Sequence, residues 1–254
     1  MATHTGSQLR VICVCCAALL VCGCSTLTQT GPNSLPPLRA YEAVVTDRGP
    51  HLLEVDDPIE GFNRGTYRFN YYLDEYLYRP IVRVYEIVLP DLVKDRISDA
   101  LDNIGEFGNV TNNLLQTKFK DAGITVGRFV INSTVGIAGL WDPATRWGLI
   151  RKPADFGQTL GHYGVGSGAY LVLPALGPSN VRDATGLAAD SAAFTLVGPV
   201  AWVNDAAVSD TYGGISILDK RHRIPFRYHQ TGSPFEYDLL RMLYTIKREF
   251  DVAH

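Results

Sequence analysis

The stretch "FGQTLGHYGVGSGAYLVLPALGPSNV", Phe156 to Val181, lies between Asp155 and Arg182 and contains no Lys, Arg, Asp or Glu. A membrane-spanning helix needs about 20 consecutive apolar, helix-compatible residues. Here Gly157, Gly161, Gly164, Gly166, Gly168, Pro174, Gly177 and Pro178 interrupt every such run, so a single straight span is not expected. Nor is it a nucleotide loop: Gly164-x-Gly166-x-Gly168 lacks the G-x-G-x-x-G spacing, and no GK[ST] follows. A serine nucleophile elbow requires G-x-S-x-G, and Val165 stands two residues before Ser167. The glycines therefore point to sharp backbone bends in an uncharged segment, not to chemistry.

Working outward, 254 residues at 46% hydrophobic content suffice for a sizeable core in one or two domains. A formal net charge of -3 gives no overall basic footprint, so nucleic acid is not an expected partner. At the amino end, Arg10 precedes the apolar block "VICVCCAALLVCG", residues 11–23, in the order of a secretory signal. Residues 1–23 read as that signal. Val21-Cys22-Gly23-Cys24 resembles a bacterial lipobox, with Cys24 as the acylated new first residue. Ser25, not aspartate, follows it, which by resemblance to sorted lipoproteins implies a lipid anchor in the outer membrane, on its periplasmic side. All five cysteines lie between Cys13 and Cys24, so the body is expected to have no disulfide, zinc knuckle or catalytic thiol. Residues 24–50, rich in Thr, Pro and Gly with Pro36-Pro37, read as an acylated tether.

Residues 51–254 read as a body of short amphipathic helices, mainly α. From Asn63 to Tyr78 the residues Phe62, Phe69, Tyr72, Leu73, Tyr76 and Leu77 share one broad side. Pro80 and Pro90 are expected in the first turns of two further helices, and Asp121 to Val135 continues in the same style. Ser233-Pro234-Phe235-Glu236 reads as a capping box with proline at the first helical position, opening a helix over 233–250. Its stripe is Phe235, Leu239, Met242, Leu243, Ile246 and Phe250, a core-packing, docking or partner-binding face, with Lys247 and Arg248 expected in its last turn. Trp141, Trp147 and Trp202 stand among charges and a proline, as suits a chain lying at a lipid interface, with tryptophans filling a soluble core as the alternative. No run alternates strongly enough for a sheet of any size.

The six histidines are scattered without ligand spacing, so no metal site is expected. His162 and Ser167 form the nearest histidine–serine pairing. Because triad members meet only in space, a membrane-tethered lipid hydrolase stays open as an alternative. The cluster Lys220-Arg221-His222-Arg223 reads either as a solvated face or as a contact for anionic headgroups or an acidic partner.

Several motifs follow one another in order. They are Asp57-Pro58-Ile59-Glu60-Gly61-Phe62-Asn63-Arg64, Arg128-Phe129 with Asn132-Ser133, and Asp155-Phe156-Gly157-Gln158-Thr159-Leu160-Gly161. Leu173-Pro174, Gly177-Pro178-Ser179 and Arg182-Asp183 complete the series. Together with the acylated start, they make the chain resemble the VacJ/MlaA family of outer-membrane lipoproteins, from Asp57 to about Phe250. Two departures are Ala154, where an acidic residue is usual, and Gly168-Ala169-Tyr170 in place of Gly-Pro-Tyr.

The resemblance implies a single ring-like helical domain lying in the membrane interface, with an amphipathic channel through it. Phospholipid misplaced in the outer leaflet would pass through that channel to the periplasmic carrier MlaC, maintaining lipid asymmetry. It implies trimeric outer-membrane porins as partners, and neither a cofactor nor covalent chemistry. On this view the opening stretch is a wall or rim of the channel, with His162, Tyr163, Gly164, Gly166, Gly168 and Tyr170 as its candidate residues. A structural scaffold that only docks porins is the further alternative.

Overall fold

The computed structural model describes residues 55–203 and 205–254. The signal segment, Cys24 and the tether lie outside the described residues. What is described is a single, mainly α domain.

The first helix, α1 (Glu60–Leu73), does not stop where the prolines suggested. It runs through a π turn at Asp74–Tyr78 directly into α2 (Arg79–Val88), and Leu73, Tyr78 and Arg79 all keep helical dihedrals. Pro80 therefore stands inside a continuous helical run. It has no N–H to donate and its ring crowds the carbonyl one turn back, and the wider π turn just before it relieves that conflict. Pro90 does break the chain. Leu89 before it is extended, at φ -98° and ψ 128°, as a residue preceding proline prefers. Pro90 then caps the long helix α3 (Asp91–Leu115), one position earlier than expected.

Thr117, at φ 58°, turns the chain so that α4 (Phe119–Thr134) packs back along α3. A left-handed turn follows, with Ile137 at φ 51°, Ala138 at 56° and Gly139 at 87°. It is held by the carbonyls of Asn132 and Ser133, which accept from Gly139 N at 2.8 Å and Ala138 N at 3.0 Å. A Cβ on Gly139 would lie 2.7 Å from the Asn103 side chain. The short α5 (Pro143–Arg146) is capped by Asp142.

The opening stretch resolves into three parts. Asp155 caps α6 (Phe156–His162), a surface turn follows, and β1 (Tyr170–Leu173) pairs antiparallel with β2 (Gly177–Asn180), Tyr170 opposite Asn180. This hairpin is the sheet found among the described residues. Its outer edge is completed by side chains from α1. Asn63 accepts from Val172 N at 2.9 Å and donates to the Tyr170 carbonyl at 3.0 Å, while Asn70 accepts from Ala175 N at 2.7 Å and donates to the Leu173 carbonyl at 2.9 Å. The two asparagines, seven residues apart on one helix face, act as a third strand and satisfy backbone groups that a two-stranded hairpin leaves open.

Asn180 caps α7 (Val181–Val197), which crosses α6 so closely that a Cβ on Gly186 would lie 2.3 Å from Gly157 N. A 3-10 turn (Pro199–Val203), α8 (Ala206–Arg223) and α9 (Glu236–Ala253) complete the chain.

The capping box expected at Ser233 does not form. Helix α9 starts at Glu236, and its carboxylate accepts from Tyr67 OH, His229 N and Thr231 Oγ1, each at 2.6 Å. Ser233 Oγ accepts from Phe235 N at 3.2 Å instead. The tertiary partners win because they complete the sites of a carboxylate that is fully buried. The helix also runs on to Ala253, so Lys247 and Arg248 stand before its last turn, which holds no basic residue.

Candidate functional site

The fold is inverted relative to a water-soluble helical domain. On α1 the side carrying Phe62, Phe69, Tyr72, Tyr76 and Leu77 is exposed, Tyr76 at 74%, while Asn63, Thr66, Asn70 and the following Asp74 are buried. The expected apolar side is real, but it faces outward. On α3 the residues at helical spacing on the buried side are Asn103, Glu106, Asn109, Asn112, Asn113 and Gln116. On α4 they are Ala122, Thr125, Arg128 and Asn132, with Val126 and Val130 outside. On α9 Tyr237, Asp238 and Arg241 are buried, and Leu243, Ile246 and Phe250 are exposed. Trp147 and Trp202 are also outside, at 61% and 70%. Hydrophobic packing is concentrated in one small cluster, Tyr67, Tyr170, Val172 and Tyr237, joined edge to face.

Three clamps of buried polar groups each use one of the sequence motifs. In the first, Asp57 accepts from Asn63 Nδ2 at 2.7 Å, Tyr237 OH at 2.5 Å and Arg241 Nη1 at 3.3 Å. Arg64 pairs with Glu60 one turn back and reaches Asp238 at 3.1 Å, and Arg241 meets Asp238 at the same distance. The Asp57-to-Arg64 motif thus ties α1 to α9 and to the hairpin.

In the second clamp, Arg128 donates to Glu106 at 2.8 Å, Asp142 at 2.9 Å, Thr145 Oγ1 at 2.8 Å and the Leu149 carbonyl at 2.5 Å. Asn132 donates to Asp142 at 3.0 Å and accepts from Ala144 N. Burial pushes the Asp142 pKa up, but the bonds from Thr145, Arg128 and Asn132 outweigh it and hold the carboxyl at about 2.

In the third, Arg248 bridges Asp155, at 2.8 and 2.9 Å, and Asp183, at 2.8 and 3.0 Å. Tyr244 and Arg182 also donate to Asp183. Burial opposes the charge on Arg248, yet the two carboxylates raise its pKa above the ordinary value, and the Asp183 pKa is lowered in turn. Around it, Thr159 bridges Asn112 and Gln116, and Asp190 takes Asn112 Nδ2 and Phe156 N.

The candidate rim residues are only partly brought together. His162 is exposed at the end of α6, Tyr163 to Gly166 and Gly168 are exposed on the turn between α6 and β1, His162 lies edge to face on Tyr163, and Tyr163 OH ties the turn to the Leu115 carbonyl at 2.6 Å. Gly164 at φ +85° and Gly168 at +67° adopt the left-handed conformation that glycine favours. Gly166 does not, and nothing lies near its would-be Cβ. Tyr170 leaves the turn for the aromatic core, 2% exposed. No hydrogen bond joins His162 to Ser167 among the described residues, and no group there is arranged to hold a metal. At the two departures the backbone keeps its ties: Ala154 N donates to Asn109 at 3.1 Å, and the Ala169 carbonyl accepts from Val181 N at 3.1 Å.

Three of the four residues in the basic cluster are paired with acids of the fold. Arg221 grips Asp74, Arg223 pairs with Asp102 and Asp219, and His222 meets Glu86 at 2.8 Å, leaving Lys220 exposed.

A helical domain with ion pairs and amides inside and unpaired apolar side chains outside belongs to the class of membrane-associated proteins. No helix among the described residues is long and apolar enough to cross a membrane.

The chain belongs to the MlaA lipoprotein family, whose pattern it matches over residues 55–251. It is similar to an uncharacterised protein of Rickettsia prowazekii, 43% identical over 52% of this chain and 53% of that one. It is also similar to the intermembrane phospholipid transport system lipoprotein MlaA of Escherichia coli K12, 36% identical over 53% of this chain and 55% of that one. The match thus spans about half the length of these curated relatives. A solved structure from work on the structural basis for maintenance of bacterial outer membrane lipid asymmetry superposes with TM-score 0.65 at 29% identity, covering 78% of this chain and all of that one.

Proposed function

We propose that this protein is an outer-membrane lipoprotein, anchored through Cys24, that removes mislocalised phospholipid from the outer leaflet and passes it to a periplasmic carrier. The observation that carries the proposal is the inversion of the fold. An apolar exterior suits acyl chains, and a charged, hydrogen-bonded interior can surround a route for headgroups without exposing backbone polar groups to hydrocarbon. The amphipathic helices lie in one leaflet as a ring, and acylation of Cys24 adds about 0.8 kcal/mol per buried CH₂ to hold them there. The turn from His162 to Gly168 forms the rim of the passage, and a trimeric porin gives the ring its place in the membrane. Family membership and the lipid-transport name of the Escherichia coli relative support this reading.

The test uses the acylated protein with a trimeric porin and the carrier MlaC, against bilayers holding labelled phospholipid. Intact labelled lipid should appear on the carrier. Lysophospholipid or free fatty acid in its place would overturn transport and establish hydrolysis.

A further inference from the structure

A cleft of about 830 Å³ opens between α2 and the segment that leaves α8. Its mouth is apolar, with Val84 61%, Ile87 75% and Ile224 49% exposed. Its lining carries more positive charge than the fold neutralises. Arg79 is paired with Glu75, Arg221 is held by Asp74 and by the carbonyls of Ile224 and Phe226, and His222 meets Glu86. Arg83 and Arg227 also line the cleft, both are exposed, and neither side chain has a hydrogen-bond or acidic partner among the described residues. Every other cation of the cleft is tied down by the fold; these two guanidiniums are left over.

We infer that this cleft binds the phosphate of a phospholipid headgroup, gripped by Arg83 and Arg227, with the acyl chains lying over Ile87 and Ile224. Guanidinium forks match phosphate oxygens in geometry and charge. The exposed aliphatic mouth distinguishes a lipid phosphate from a free one, because inorganic phosphate has no use for Ile87. The inference takes its choice of lipid from the transport reading, but it concerns one external cleft and not the passage itself.

The experiment places a photoreactive benzoylphenylalanine at Ile87 in the full-length protein in neutral detergent. ³²P-labelled phosphatidylglycerol is the probe, and labelled diacylglycerol is the phosphate-free comparison. Phosphatidylglycerol should crosslink and diacylglycerol should not. Losing both guanidiniums in R83Q/R227Q should lower the yield at limiting lipid by about tenfold or more, because charge-assisted contacts to phosphate are among the stronger hydrogen bonds. R68Q, at an exposed arginine of α1 outside the cleft, should leave the yield unchanged, and matching melting curves will show that each variant is folded.

An unchanged yield in R83Q/R227Q overturns the inference, as does equal crosslinking of diacylglycerol. Abolition of the crosslink by equimolar inorganic phosphate would assign the site to the free anion and overturn the lipid assignment. The transport reading stands or falls separately: arginine-dependent crosslinking in a protein that moves no lipid to the carrier would keep the cleft and remove the transport.

Discussion

Replacing Arg128 with methionine tests whether the buried ion pairs of this fold hold it together. Arg128 is 2% exposed and Glu106 is fully buried. In R128M the Glu106 carboxylate would keep only the Asn109 amide at 2.8 Å and a longer contact to Arg151 at 3.6 Å. Asp142, Thr145 and the Leu149 carbonyl would each lose a donor as well. Removing one partner of a buried pair costs about 3–5 kcal/mol, because the charge left behind is not compensated. At roughly 2–4 °C per kcal/mol for a domain of this size, Tm should fall by about 6–20 °C.

The informative comparison is the double variant R128M/E106L. It removes the stranded carboxylate and should recover at least half of the loss, since apolar replacement of a whole buried pair is often neutral. Both are measured by circular dichroism melts in one detergent at neutral pH. A melt of R128M within about 2 °C of the wild type, about 1 kcal/mol or less on the same scale, or a double variant that melts no higher than R128M, would show that the buried pair does not hold the fold.

Other outcomes follow from the same geometry. Gly186→Ala places a Cβ 2.3 Å from the Gly157 backbone nitrogen and should cost about 1–3 kcal/mol or more. Gly65→Ala meets nothing within 4 Å on α1 and should gain roughly 0.5–1 kcal/mol; finding G186A as stable as G65A in thermal melts would contradict the close crossing. Gly164→Val, at φ +85°, should lose roughly 1–2 kcal/mol, whereas Gly166→Ala should be near neutral. The folded-state pKa values of Asp142, at about 2, and of Asp102, Asp183 and Glu236 are depressed. Their contribution is therefore present above the unfolded carboxyl pKa and is lost as pH falls from about 4 toward 2. Tm measured against pH should drop on that limb, and D142N should flatten the drop. Cys24→Ala should leave unprocessed precursor and no outer-membrane fraction on immunoblots; normal processing would remove the anchor assignment.

Much of this protein is legible along the chain because it is local. Helical spacing, Pro90 at the start of a helix and the glycines that forbid a straight span all depend on neighbours within one or two turns. The motifs that carry the family resemblance are legible too, though not their work: Asp57, Asn63, Arg64, Arg128, Asp155 and Asp183 prove to be the clamps that close the fold. A signal for the inversion was also present, in the polar residues from Asn103 to Gln116 that recur at helical period on α3.

Periodicity gives two faces of a helix, however, and not which of them is inside. Only the tertiary structure decided that, because a buried Glu106 or Asp183 is tolerable only when an arginine distant in sequence arrives to pair with it. The same long-range pairing moved the start of α9 from Ser233 to Glu236, whose carboxylate found Tyr67 and Thr231. Packing also sent Tyr170 into the aromatic core and left Arg83 and Arg227 without partners among the described residues. Where a charge is satisfied across more than a hundred residues of chain, as between Asp57 and Arg241, local sequence sets which groups are available, and the packing of the helices sets which of them meet.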